Sequence, residues 1–320
     1  MPLYEIFSHS DRFHYRANIF SLATCFVILC TILTFLPPFL FAYYAGGFWV
    51  KEASYSEQPR VNYSAKYIVI VDNDDSTRNR FFASSYLDIN TVFRDVLITG
   101  TNTFDAYDTN RDGVTDQFYI TIQVLFGSTT TVVSLQNLNV WIIFQYELRA
   151  RQYILMETMA LVNLFPPDNM VLSNNPNVTV LGDLVLKQRQ PIQSSGSDST
   201  YNQSIINLDN LFTTSSIDLN PVLDEYFTRN YYTSYEPQYV RWRRGATSGT
   251  NILTINIIVN TKQQAIRFIP GFWQEFKWGW IQYICALLPF ILVFNRIKEF
   301  VFQSQLVRTS VEFPYHRHKS

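Results

Sequence analysis

The residues best placed for chemistry form one short loop, Asp108-Thr-Asn110-Arg-Asp112-Gly113-Val-Thr-Asp116. Oxygen-bearing side chains stand at its first, third, fifth and ninth positions, with glycine at the sixth. A hard cation such as Ca²⁺ wants several oxygens, and the glycine permits the turn that aims them inward. The twelfth position is Tyr119, so the bidentate glutamate of an EF-hand is missing, and a strand pattern rather than a helix follows. The spacing suits a calcium loop embedded in a β-rich domain, and a structural calcium is the one cofactor these residues suggest. The same Asn-x-Asp-Gly run also makes a good solvated turn. An ion bound here would stiffen the loop without catalysing anything.

Other chemistry is hard to build. Between Glu52 and Lys277 there is neither His nor Cys: Cys25, Cys30 and Cys285 lie in apolar runs, and His9, His14, His316 and His318 lie near the ends. The middle of the chain therefore supplies no Cys–His or Ser–His–Asp nucleophile, no typical zinc site and no disulfide framework. Carboxylates alone can serve as acid and base, but no spacing singles out a pair, and the chain is expected not to be an enzyme. A net charge of −1 argues against nucleic acid, which needs a concentrated basic face. The middle also carries three glycosylation sequons, Asn62-Tyr-Ser64, Asn177-Val-Thr179 and Asn202-Gln-Ser204, and the ends carry none.

Two apolar runs must position this middle segment. No charge falls between Arg16 and Lys51, and the core of that run, Ile19 to Leu36, continues through Pro37-Pro38 into FLFAYYAGGFW. About 20 apolar residues cross a hydrocarbon layer of roughly 30 Å. The run exceeds a signal peptide's apolar region and lacks a clean cleavage site, so it reads as a signal anchor. The second run, Trp278 to Asn295, is bounded by Lys277 and Arg296 and holds Pro289. Its Gln282 is expected to bond to Thr or Ser of the first run. Gly47-Phe48-Trp49 after the first span and Gly271-Phe272-Trp273 before the second, with Trp278 and Trp280, form an aromatic girdle at one boundary. Lys/Arg counts near the spans barely discriminate a side, and the sequons place the middle segment in the lumen or outside the cell. Charge agrees weakly: Lys51 to Lys277 carries 18 Lys/Arg against 22 Asp/Glu, and the ends 7 against 4. Arg296 to Val307 reads equally as an amphipathic helix on the inner membrane surface or as the end of the second span.

Between the spans, period-two alternation predicts strands at Tyr67–Val71, Val92–Thr99, Gln117–Phe126, Val132–Leu148, Val178–Leu186 and Asn251–Val259, with a hairpin loop at Gly127–Thr131. Pro221–Asn230 is the best helix. The fold class is a membrane protein with two transmembrane helices flanking a mainly-β, antiparallel, sandwich-like extracytoplasmic domain. The expected divisions are a cytoplasmic tail at 1–18, helices at 19–43 and 276–295, the β-rich domain at 44–275, and a cytoplasmic tail at 296–320.

Leu3–His9 (LYEIFSH), Gly47–Pro59 (GFWVKEASYSEQP), Asn110–Asp116 (NRDGVTD) and the block Pro270–Val307, with PGFW, WIQY and RIK followed by FVFQSQLV, resemble the transmembrane protein 231 family, in order and over nearly the whole length. Asp72–Asn90 and the tail after Thr309 do not match. The resemblance implies a ciliary transition-zone membrane protein whose partners are other subunits of the tectonic-like (Meckel syndrome) complex and the bilayer. It implies a part in the diffusion barrier between plasma and ciliary membranes, in ciliogenesis and, in animals, in Hedgehog signalling. The competing expectation is a ligand-binding or adhesion receptor that uses the β-rich ectodomain. A channel is disfavoured, because two helices without intramembrane charge line no pore on their own.

Overall fold

The computed structural model describes residues 14–46, 48, 50–74, 80–127, 134–168, 170–206, 219–245 and 251–312. The chain divides into two compact units, Met1–Lys51 with Pro270–Ser320, and Glu52–Ile269. The second is narrower at both ends than the expected 44–275.

In the first unit, β1 (His14–Arg16) leads into α1 (Leu22–Tyr44), and α4 (Phe272–Gln303) leads into β14 (Ser310–Glu312). Ser21 caps α1, its Oγ accepting the Thr24 N–H at 3.3 Å. The helix runs through Pro37 and Pro38 without ending. Among the described residues, α1 is the one helix both long and apolar enough to cross a bilayer by length and composition. α4 has 32 residues and extends about 48 Å. It carries Glu275 and Lys277 at one end and Arg296, Lys298 and Glu299 at the other. The stretch after Asn295 is thus the end of this same helix, not a separate surface helix. β1 and β14 pair antiparallel, His14 opposite Glu312, where sequence alone leaves only tails. Two helices running in opposite directions bring these short segments side by side.

The second unit contains β2 (Ala53–Glu57), β3 (Arg60–Asn73), β4 (Arg80–Ser84), α2 (Leu87–Val92), β5 (Thr99–Tyr107), β6 (Gln117–Phe126), β7 (Leu135–Leu148), β8 (Tyr153–Leu164), β9 (Asn177–Gln188), β10 (Ser197–Asp198), α3 (Asn220–Thr228), β11 (Tyr231–Arg243), β12 (Asn251–Asn260) and β13 (Gln264–Phe268). Two five-stranded sheets, ordered β10-β8-β7-β3-β4 and β11-β9-β12-β6-β5, enclose the main core, and β13 pairs with β2.

The two sheets differ in sequence for a physical reason. β6 and β12 alternate buried and accessible residues, so one face of their sheet meets the core and the other meets solvent. β3 and β7 contain unbroken buried runs, because their sheet is covered on both faces. Val69, Val140, Ile142 and Phe144 face the main core. Ile68, Ile70, Trp141 and Ile143 pack under α2 and α3 with Ile89, Phe93, Val222 and Tyr226.

The sandwich is not wholly antiparallel, which corrects the sequence expectation. β9 pairs parallel with β12, and β10 with β8. β11 and β12 follow each other in the chain, run in opposite directions and flank β9, so one of them must lie parallel to it. The strand expected at Val92–Thr99 is also replaced. Its first part ends α2 and turns, with Phe93 against Phe82 at 4.7 Å, and only Val96 to Ile98 bond to the edge of β4. The loop expected at Gly127–Thr131 falls largely outside the described residues.

Candidate functional site

The helix pair is the feature whose surface most clearly demands an environment. The residues that α1 buries are small: Ala23, Cys30, Thr34, Pro38 and Ala42. They let α4 approach closely, as small residues do between membrane helices. The helices run in opposite directions, since Phe26 meets Phe302 at 6.1 Å and Phe39 meets Tyr283 at 6.4 Å. Away from this seam, Ile28, Leu29, Ile32, Leu36 and Leu40 are each about half exposed, and Phe41 is 64% exposed. A helix apolar all round, with one narrow buried seam, suits lipid and not water.

Hydroxyls inside the helix are satisfied locally. Thr31 donates to the Val27 carbonyl at 2.7 Å and Thr34 to the Cys30 carbonyl at 2.6 Å. Gln282 therefore does not find the threonine partner expected for it. Its amide oxygen is buried with no hydrogen-bond partner among the described residues.

The aromatic girdle is a connected series of rings on the first turns of α4. Phe272 stacks on Phe276 at 5.7 Å, Phe276 meets Trp280 at 5.8 Å, and Trp280 meets Tyr283 at 5.7 Å. Trp273 and Trp278 are 77% and 52% exposed, as indole rings at a headgroup layer would be. Of the girdle residues after the first span, Phe48 packs on Phe39 at 5.9 Å, while Gly47 and Trp49 lie outside the described residues. Phe48 also covers Gly279, where an added Cβ would clash with its ring. Only glycine leaves that contact open. A lone glycine among apolar helix residues is the sequence signal for it.

In the β unit, Asp108, Asn110, Asp112 and Asp116 do converge in one loop, and their oxygens accept the loop's own N–H groups. Asp108 accepts the N–H groups of Arg111 at 2.6 Å and Gly113 at 2.9 Å. Asn110 accepts that of Asp112 at 3.1 Å, and Asp112 that of Val114 at 2.7 Å. Asp116 accepts the Thr109 N–H and the Gln58 side-chain amide, both at 2.8 Å. These bonds, Gln58 foremost, hold the Asp116 carboxyl below its ordinary value. Arg111 and Gly113 take positive φ angles of 60° and 81°, which glycine adopts without strain. Among the described residues no group of three or more His, Cys, Asp or Glu is arranged to hold a metal.

The sequon asparagines occupy three different settings. Asn62 is exposed on β3, and Asn202 is exposed in the turn after β10. Asn177 opens β9 in the middle of its sheet, half-buried, and its side-chain oxygen accepts the Asn256 amide at 2.9 Å. A cavity of about 350 Å³ lies on the covered sheet beside α3, lined in part by Trp141, Asn139, Asn163 and the Asp72–Arg80 ion pair. Sequence gives no warning of it, because its walls come from distant strands.

A lipid-suited helix α1 packed on α4, with a two-sheet β unit inserted between them in the sequence, defines a membrane-anchored β-sandwich protein. The family profile described as Transmembrane protein 231 matches residues 1–311. Proteins named Transmembrane protein 231 are similar along almost the whole chain. The one from Xenopus tropicalis is 33% identical over 97% of this chain and 96% of its own length. The one from Homo sapiens is 34% identical over 97% and 95%, and the one from Gallus gallus 32% over 97% and 94%. The chain belongs to the transmembrane protein 231 family.

Proposed function

We propose that the protein is a non-catalytic, two-span subunit of the tectonic-like complex in the membrane of the ciliary transition zone. There it contributes to the diffusion barrier between plasma and ciliary membranes, to ciliogenesis and, in animals, to Hedgehog signalling. α1 and the Trp278–Asn295 portion of α4 cross the bilayer, both termini are cytoplasmic, and Glu52–Ile269 is lumenal or extracellular. Its partners are the other membrane and membrane-associated subunits of that complex.

The observation that carries this reading is the helix pair. α1 exposes apolar side chains in nearly every direction, and β1 on β14 ties the outer ends of α1 and α4 together. The family resemblance set out from the sequence supports the ciliary part, and the lack of His and Cys from Glu52 to Lys277 supports the non-catalytic part. The cavity beside α3 favours the alternative, a receptor whose ectodomain binds a small ligand. An epitope-tagged full-length chain expressed in ciliated cells tests the proposal. Signal concentrated at the ciliary base is expected, and uniform staining of the plasma membrane overturns it.

A further inference from the structure

A sheet edge exposes a row of unpaired N–H and C=O groups, and most proteins protect it. Three of the four edges of the two main sheets here are protected. The outer side of β4 is bonded by the chain itself, with Phe82 N–H to the Val96 carbonyl at 3.0 Å and Ile98 N–H to the Phe82 carbonyl at 2.8 Å. β10 is only two residues long. β11 carries Pro237, a register shift between Pro237 and Tyr239, and the charges of Arg241 and Arg243. Proline, bulges and charge are the usual defences.

β5 has no proline and no bulge, and a single charged residue, Asp105. Its nine residues, TGTNTFDAY, include no Lys or Arg, and it keeps an unbroken register with β6 from Thr99 to Tyr107. No described residue hydrogen-bonds its other side as part of a sheet. From Thr103 onward every residue is exposed, Phe104 by 47% and Tyr107 by 50%.

We infer that β5 is an interaction edge whose occupant is the β5 of a second copy of this chain, paired antiparallel about Thr103. The strand is self-complementary in that register. Its one charge, Asp105, falls opposite Thr101 of the other copy, where a hydroxyl can donate to the carboxylate. Thr103 faces itself, and Tyr107 faces Thr99. No like charges meet, and cross-strand Thr pairs of this kind are favourable. The two five-stranded sheets then continue into one, without either copy changing fold. This inference goes beyond the ciliary assignment and does not depend on it.

The test uses full-length protein in detergent micelles, in a Cys25→Ser, Cys285→Ser background. Thr103→Cys treated with a short bis-maleimide is expected to run at twice the monomer mass. Thr99→Cys is expected to stay monomeric, because in this register its counterpart lies about 27 Å away, eight residues along the strand. Thr103→Lys, which sets two cations face to face, is expected to abolish the dimer seen by native mass spectrometry while leaving the unfolding midpoint unchanged. A monomeric wild-type chain, equal cross-linking of Thr103→Cys and Thr99→Cys, or cross-linking of Thr103→Cys only to a different protein overturns the inference.

Discussion

Two buried tyrosines make opposite demands on the β unit, and replacing each by phenylalanine separates them. The Tyr146 ring sits in the main core with 0% exposure, and its hydroxyl has no hydrogen-bond partner among the described residues. Burial pushes that hydroxyl's pKa far up, and the nearby Glu57 and Tyr55 add to the shift. Burying an unpaired hydroxyl costs about 1–3 kcal/mol. Tyr146→Phe removes this cost and keeps the ring, so it should raise stability by about 1–2 kcal/mol.

Tyr226 is as deeply buried, but its hydroxyl is the hub of a network. It donates to the Thr233 carbonyl at 2.8 Å, accepts the Thr233 N–H at 3.0 Å and the Met159 N–H at 3.2 Å, and lies 2.7 Å from the Thr158 hydroxyl. Tyr226→Phe leaves several of these groups buried and unpaired and should cost about 2–4 kcal/mol. For a unit of roughly 200 residues, 1 kcal/mol moves the midpoint by about 2–4 °C. The expected shifts are about +2 to +8 °C for Tyr146→Phe and about −4 to −16 °C for Tyr226→Phe. They are read by near-UV circular dichroism of the full-length protein in detergent. A fall for Tyr146→Phe comparable to that for Tyr226→Phe refutes the reasoning.

Four further expectations follow from other parts of the molecule. Gly279→Leu should destabilise the helix pair by about 1–3 kcal/mol through overpacking, and adding Phe48→Ala should restore most of the loss. If the double variant is no better than Gly279→Leu alone, the Phe48 contact is not the cause. With an outward-facing ectodomain, Asn62→Gln and Asn202→Gln should each remove one glycan step on gels, whereas Asn177→Gln should remove none because its side chain is engaged with Asn256; a step lost with Asn177→Gln contradicts this. The Asp108–Asp116 loop closes on its own hydrogen bonds, so Ca²⁺ or a chelator should leave the midpoint of the β unit unmoved. Site binding at about 100-fold over Kd would instead raise it by roughly 5–10 °C. Acid should loosen this loop: the Asp116 pKa is lowered by folding, so its contribution is complete above the ordinary aspartate value of 3.8 and is lost as pH falls below it. The protection of the Thr109 amide, read by NMR as exchange relative to its intrinsic rate at each pH, should therefore fall only in that acid range.

Strand runs with plain alternation were legible in the sequence. Gln117–Phe126 matches β6 end to end, and Asn251–Val259 matches β12 within a residue. The less regular strands were not. β11 is broken by Pro237 and faces solvent on both sides over much of its second half, so its pattern carries no core signal. β8 was not among the strands expected: it holds Glu157 and Thr158 at buried positions, and they are buried because partners from far along the chain satisfy them. Glu157 accepts Lys66 at 3.1 Å and the Ile205 N–H at 2.9 Å. Thr158 bonds Tyr226 and Thr233. The calcium spacing was visible, but spacing does not show that the same oxygens accept the loop's own N–H groups. The apolar run of α1 was visible because composition alone records the environment it needs.

The central claim is that α1 and α4 cross the membrane as a pair with both chain ends on the cytoplasmic side. Antibody access to tags placed before Met1 and after Ser320, compared in intact and permeabilised cells, tests it directly. Both tags should be stained only after permeabilisation. Staining of either tag on intact cells contradicts the account.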